Sequence, residues 1–131
     1  MRGDIETPWA GRAKEYAWSL MAKYAPRNIT PSDIDYATEC GGHFLVFEMK
    51  STGAGLPYGQ RLMLERLLLR LTPISRVVVV QHPLLDRIVV PDDVLEFETW
   101  RWSGQRLESR QWPGSDFTRW YARWFEAADY T

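Results

Sequence analysis

Four consecutive valines, Val77–Val80, restrict the fold of this chain more than any other feature. The run is short and wholly apolar, with Pro73 before it and His82-Pro83 after it. A strand with no polar alternation suits burial on both faces, so a layer must pack on each side of its sheet. Helical patterns supply those layers. Trp9, Ala13, Tyr16, Ala17, Leu20, Met21 and Tyr24 recur at helical spacing, and Pro26 ends that pattern. Gln60–Leu71 is rich in Leu, Arg, Met and Glu and stops before Pro73. A last helix over Phe117–Ala128 can be capped by Ser115 or Asp116.

Strand patterns fill the intervals. Asp33–Cys40 and His43–Lys50 read as two antiparallel strands joined by Gly41-Gly42, a pair that tolerates the positive φ angles of a tight hairpin. Val94–Trp102 alternates as a strand, Ser103-Gly104 is a turn, and Gln105–Gln111 can pair back. A short strand is also expected at Ile88–Val90. The expected class is α/β, a mixed central β-sheet flanked by helices. With 131 residues the chain is read as one domain, with a core from about Trp9 to His82 and a C-terminal strand-and-helix extension from about Asp92 to Thr131.

Composition narrows the function classes. Hydrophobic residues make up 45% and charged residues 25%, as in water-soluble globular chains. The single cysteine, Cys40, rules out an intramolecular disulfide framework, and one Cys with His43 and His82 is a poor basis for structural zinc. The first residues show no signal-peptide apolar region, and the runs Leu67–Leu69 and Val77–Val80 are too short to span a bilayer. An intracellular, cytoplasmic protein with no membrane partner is expected. The net charge is −1, with 16 Lys+Arg against 17 Asp+Glu, so overall charge does not indicate a nucleic-acid partner.

The hairpin carries the chemistry. With Gly41 and Gly42 as its loop, Cys40 pairs with His43, which sets Asp35 opposite Glu48 and Asp33 opposite Lys50. Alternation puts these four side chains on one face. Directly opposed Cβ atoms lie about 4.5–5.5 Å apart, so two carboxylates there repel and invite a cation. Oxygen ligands favour Mg²⁺ or Mn²⁺. Such an ion activates water and neutralises phosphate charge in phosphodiester hydrolysis, and a neighbouring lysine can orient the water or stabilise the pentavalent phosphorus. Gln60, opening the next helix, can position the water or a phosphate oxygen.

These stretches, Pro31-Ser32-Asp33-Ile34-Asp35, Phe44-Leu45-Val46-Phe47-Glu48-Met49-Lys50 and Gly59-Gln60, resemble the PD-(D/E)XK nuclease superfamily, and its small phage-type and resolvase-like members in particular. The resemblance covers about Trp9 to Gln81. It implies a restriction-endonuclease-like core of helix, hairpin, helix and strand, endonuclease activity on DNA with Mg²⁺ or Mn²⁺, and an origin in a phage-infected bacterial host. By residue-wise transfer the metal ligands are Asp35 and Glu48, with Lys50 and Gln60 completing the catalytic set and Asp33 and Glu15 as additional candidates; Glu6 is a weaker one. The chain departs from the pattern in three places: only Pro26–Thr30 remains for the strand expected before the Asp strand, Pro31-Ser32-Asp33-Ile34-Asp35 replaces the literal Pro-Asp and leaves Asp33 and Asp35 competing for the metal role, and Leu64 stands where some members have Tyr.

Other candidates have plainer readings. His43 at the turn reads as a surface residue, and His82 as the end of the valine strand. Arg12, Lys14 and Arg61 can reach phosphates but read first as solvated charges. Seven tryptophans suit core or interface packing before base stacking. Arg101, Arg106, Arg110, Arg119 and Arg123 lie among the C-terminal ones and make that tail the candidate nucleic-acid or partner surface. The alternative to a nuclease is a non-catalytic nucleic-acid or protein interaction module with the same fold. A homodimer is the expected assembly if one chain offers too little basic surface.

Overall fold

The computed structural model describes residues 23–24, 26–28 and 34–130. Residues 34–130 form one unit; the few described residues before them belong to another, in which Lys23 and Tyr24 are helical and Arg27 takes a positive φ of 55°. The first predicted helix therefore lies almost wholly outside the described residues.

The hairpin forms as its turn dictates. Gly41 and Gly42 have φ of 61° and 87°, the left-handed region that glycine enters without steric cost. The Glu39 carboxylate accepts the Gly42 N–H at 2.7 Å and closes the turn. Strands β1 (Tyr36–Cys40) and β2 (His43–Ser51) pair antiparallel with Cys40 opposite His43, the register the turn predicts.

Helix α1 (Tyr58–Leu69) starts and ends two residues earlier than its sequence pattern suggests. Beyond it, the Arg70 and Leu71 N–H groups bond back to Leu67 and Leu68 at 2.9 and 3.2 Å. It returns the chain to β3 (Arg76–His82), which runs parallel to β2. Strands β4 (Glu96–Trp102) and β5 (Leu107–Pro113) add on antiparallel, giving a mixed five-stranded sheet in the order β1-β2-β3-β4-β5. Helix α2 (Phe117–Asp129) follows.

Both faces of the sheet are covered. Val46, Val77, Val79 and Trp100 pack with Leu64 and Leu68 of α1. Leu45, Phe47, Val78, Val80 and Phe97 pack with Trp124 and Ala128 of α2. The four valines are thus buried on both sides, as their pattern requires. Among the described residues no helix is long and apolar enough to cross a membrane.

Two local expectations change. Ile88–Val90 forms no strand: the Val90 N–H bonds to the Asp93 carboxylate at 2.9 Å, and Arg87 grips that carboxylate at 2.7 and 2.8 Å, so a side chain replaces a ladder partner. Salt-bridged to Arg87, the Asp93 carboxyl is held down at about 2. His43 is buried rather than exposed. Its Nδ1 meets Thr72 Oγ1 at 2.6 Å, Thr72 meets Ser75 Oγ at 2.9 Å, and Ser75 Oγ accepts the Phe44 N–H at 2.9 Å, tying the start of β2 to the α1–β3 loop.

Candidate active site

The site grows from the register of β1 and β2. The β1 ladder ends at the Tyr36–Phe47 pair, one residue short of Asp35. Asp35 stays exposed, and its Oδ2 accepts the Met49 N–H at 2.8 Å, standing in for the next ladder acceptor. That bond fixes the carboxylate alongside the Glu48 segment of β2.

Glu48 points to the α1 side, in the alternation of Val46. Its side chain is only 5% exposed, and Lys50 Nζ lies 3.4 Å from Oε1. Oε2 is buried with no hydrogen-bond partner among the described residues. Burial raises the Glu48 pKa above the usual carboxylate value, the Asp35 charge raises it further, and Gln60 and Lys50 oppose both. Gln60, on the first turn of α1, accepts a bond from Lys50 Nζ at 3.2 Å. Residues distant in sequence thus converge: Asp35 from just before β1, Glu48 and Lys50 from β2, Gln60 from α1.

The cluster sits toward the C-terminal end of β2, beside its parallel neighbour β3. Open α/β sheets offer a crevice there, outside the carboxyl ends of parallel strands. The register adds residues that the sequence reading did not single out. Gln81 pairs with Lys50, and Glu98 lies across Val79 from Glu48, so both share the site's face of the sheet. Their place on that face depends on strand order, which no local motif encodes.

Other predicted residues are placed elsewhere or not described. Asp33, Glu15, Glu6, Arg12 and Lys14 lie outside the described residues. Arg61 is 3.2 Å from Glu65 and its guanidinium lies 4.8 Å from the Trp100 ring centre, capping that buried indole. His82 closes β3, with Nδ1 2.8 Å from the Pro83 carbonyl. Most C-terminal aromatics pack on the sheet: Phe97 stacks on Trp112 and meets Phe117 and Trp120 edge-on.

Among the described residues no group of three or more His, Cys, Asp or Glu side chains is placed to hold a metal. Two carboxylates suit Mg²⁺, which is commonly bound by one or two carboxylates with water and phosphate oxygens filling its octahedron. The buried Glu48 oxygen, without a partner among the described residues, and the repulsion from Asp35 fit a cation at this cluster.

Comparison with protein-family models, curated proteins and solved structures gives no match to this chain.

Proposed function

We propose that this chain is a Mg²⁺- or Mn²⁺-dependent nuclease that hydrolyses phosphodiester bonds in DNA, on a restriction-endonuclease-like core. The observation that carries the reading is Glu48: a carboxylate taken almost out of water beside Asp35 and Lys50, whose Oε2 has no hydrogen-bond partner among the described residues. A structural glutamate would be expected to have both oxygens satisfied. DNA as the substrate follows from the resemblance to PD-(D/E)XK nucleases.

In this reading Asp35 and Glu48 would hold the ion. A bound divalent ion supplies Lewis acidity and a more acidic water. Lys50 is a fixed positive charge: the Glu48 contact and the Gln60 bond hold its ammonium, so little reorganisation is needed to meet charge developing on a phosphate. Gln60, itself polar and half-buried, orients the lysine and can reach the attacking water.

Incubation with single-stranded, duplex and branched DNA plus Mn²⁺ tests the proposal. Cleavage is expected, and Glu48→Ala or Lys50→Ala should abolish it. No cleavage of any substrate, or cleavage indifferent to Glu48→Ala, overturns it. Calorimetry with Mn²⁺ separates the non-catalytic alternative, for which no binding dependent on Asp35 is expected.

A further inference from the structure

We propose that the cleft over β4 and β5, on the α2 side of the sheet, is a second binding site that takes a nucleotide unit, its phosphate on arginines and its base against tryptophan. The site is independent of the Glu48 cluster, which faces α1, and stands whether or not that cluster is hydrolytic.

The cleft encloses about 670 Å³, a volume suited to a nucleotide-sized ligand. Its charged lining is four arginines, Arg76, Arg101, Arg106 and Arg110, against Glu108. That is a concentrated positive patch in a chain whose net charge is −1. The register builds it: Val77 opposite Trp100 brings Arg76 beside Arg101, Arg101 pairs with Glu108, and Thr99 pairs with Arg110.

The arginines are pre-positioned. Arg76 donates to the Pro73 and Ser75 carbonyls at 2.7 and 2.9 Å, which fixes its guanidinium. Burial and the nearby Arg101 charge both lower its pKa, a strain that a bound anion relieves. Glu108 lies 3.2 Å from Arg101 and 3.6 Å from Arg106, holding both at the rim. A guanidinium presents a planar fork of donors that matches phosphate oxygens.

The aromatic side selects a nucleotide over a plain anion. Arg110 lies 3.8 Å from the Trp112 ring centre, and the Trp112 indole is fixed by donating to Thr99 Oγ1 at 2.9 Å. Trp120 of α2 lines the same cleft. Trp112 already carries Arg110 and Phe97, so a base stacks on the outer plane of the Arg110 guanidinium or on Trp120, whereas an acidic peptide offers carboxylates without a ring to stack. A free nucleotide and one nucleotide of a single strand share this chemistry.

The full chain is titrated in EDTA at low salt with thymidine 5′-monophosphate, with an oligothymidylate of about ten nucleotides, and with polyglutamate, following tryptophan fluorescence. Quenching by the oligothymidylate is expected, with Trp112→Phe reducing its amplitude. Arg101→Glu with Arg110→Glu should weaken binding by about tenfold or more. Glu108→Gln, which removes the one opposing charge, should tighten it, and a gain of that kind does not come from misfolding. Binding of both thymidine probes points to free nucleotides as the source, and binding of the oligomer alone to a strand. No quenching by either probe, binding of polyglutamate alone, or equal affinity in the folded arginine variants overturns the proposal.

Discussion

Glu48 meets two opposed demands. Burial and Asp35 raise its pKa, so the folded protein holds that proton more tightly than the unfolded chain. The sign follows from linkage: the stabilising share of this proton is complete below the ordinary value of 4.5 and is lost as pH rises through the higher folded value. Ionising this carboxylate is therefore a local cost, one a bound cation would offset. Glu48→Gln should raise stability at pH 7 by about 0.5–2 kcal/mol while abolishing Mn²⁺ binding, a trade of stability against function. Urea denaturation at pH 7 and pH 4 checks it: the gain should shrink at the lower pH, and a variant less stable at pH 7 contradicts the assignment. The residue types of this cluster were readable from the Asp, Glu-x-Lys and Gln spacing. The burial that perturbs Glu48 was not, because it comes from α1 folding over β2.

At the scale of elements, two glycine sites work for different reasons. Gly41-Gly42 sets the hairpin register through positive φ, and its signature is visible in the chain. Gly114 is not left-handed, yet a Cβ there would lie 1.8 Å from the Val94 carbonyl oxygen. Its N–H also donates to Leu95 O at 3.0 Å, pinning the β5–α2 junction to the start of β4. Gly114→Ala should cost about 1–3 kcal/mol through forced backbone displacement, measured as a lower denaturation midpoint. The Pro113-Gly114 pair reads locally as a chain break and nothing more; the close approach involves residues twenty positions earlier. The missing Ile88–Val90 strand has the same origin, since β-formers lost their ladder to one aspartate.

On the scale of the whole molecule, the C-terminal third is core rather than appendage. Phe97 and Trp100 of β4 are fully buried, on opposite faces, and α2 closes the face that Phe47 and Val80 present. Trp124 is buried and its indole N–H donates to the Ile74 carbonyl at 2.9 Å, joining α2 to the loop before β3. Trp124→Ala should destabilise by about 3–5 kcal/mol, combining lost burial, a cavity and an unpaired carbonyl. Thermal unfolding followed by circular dichroism would show it, and a change under about 1 kcal/mol would mark α2 as a dispensable cover.

Local patterns by themselves determined the hairpin and its register, the doubly buried valine strand, the helix after Glu-x-Lys and the α/β class. Each rests on short-range rules, of turn chemistry and of period, that neighbouring residues satisfy together. Only the tertiary structure decided which strands adjoin and which faces meet. Strand order brought Gln81 and Glu98 to the face of Glu48 and gathered Arg76 with the arginines of β4 and β5 on the other side. Pairings between distant segments depend on how the whole sheet assembles. The cluster proposed as a metal site is thus written in the chain as a set of residue types, while its electrostatics belong to the fold.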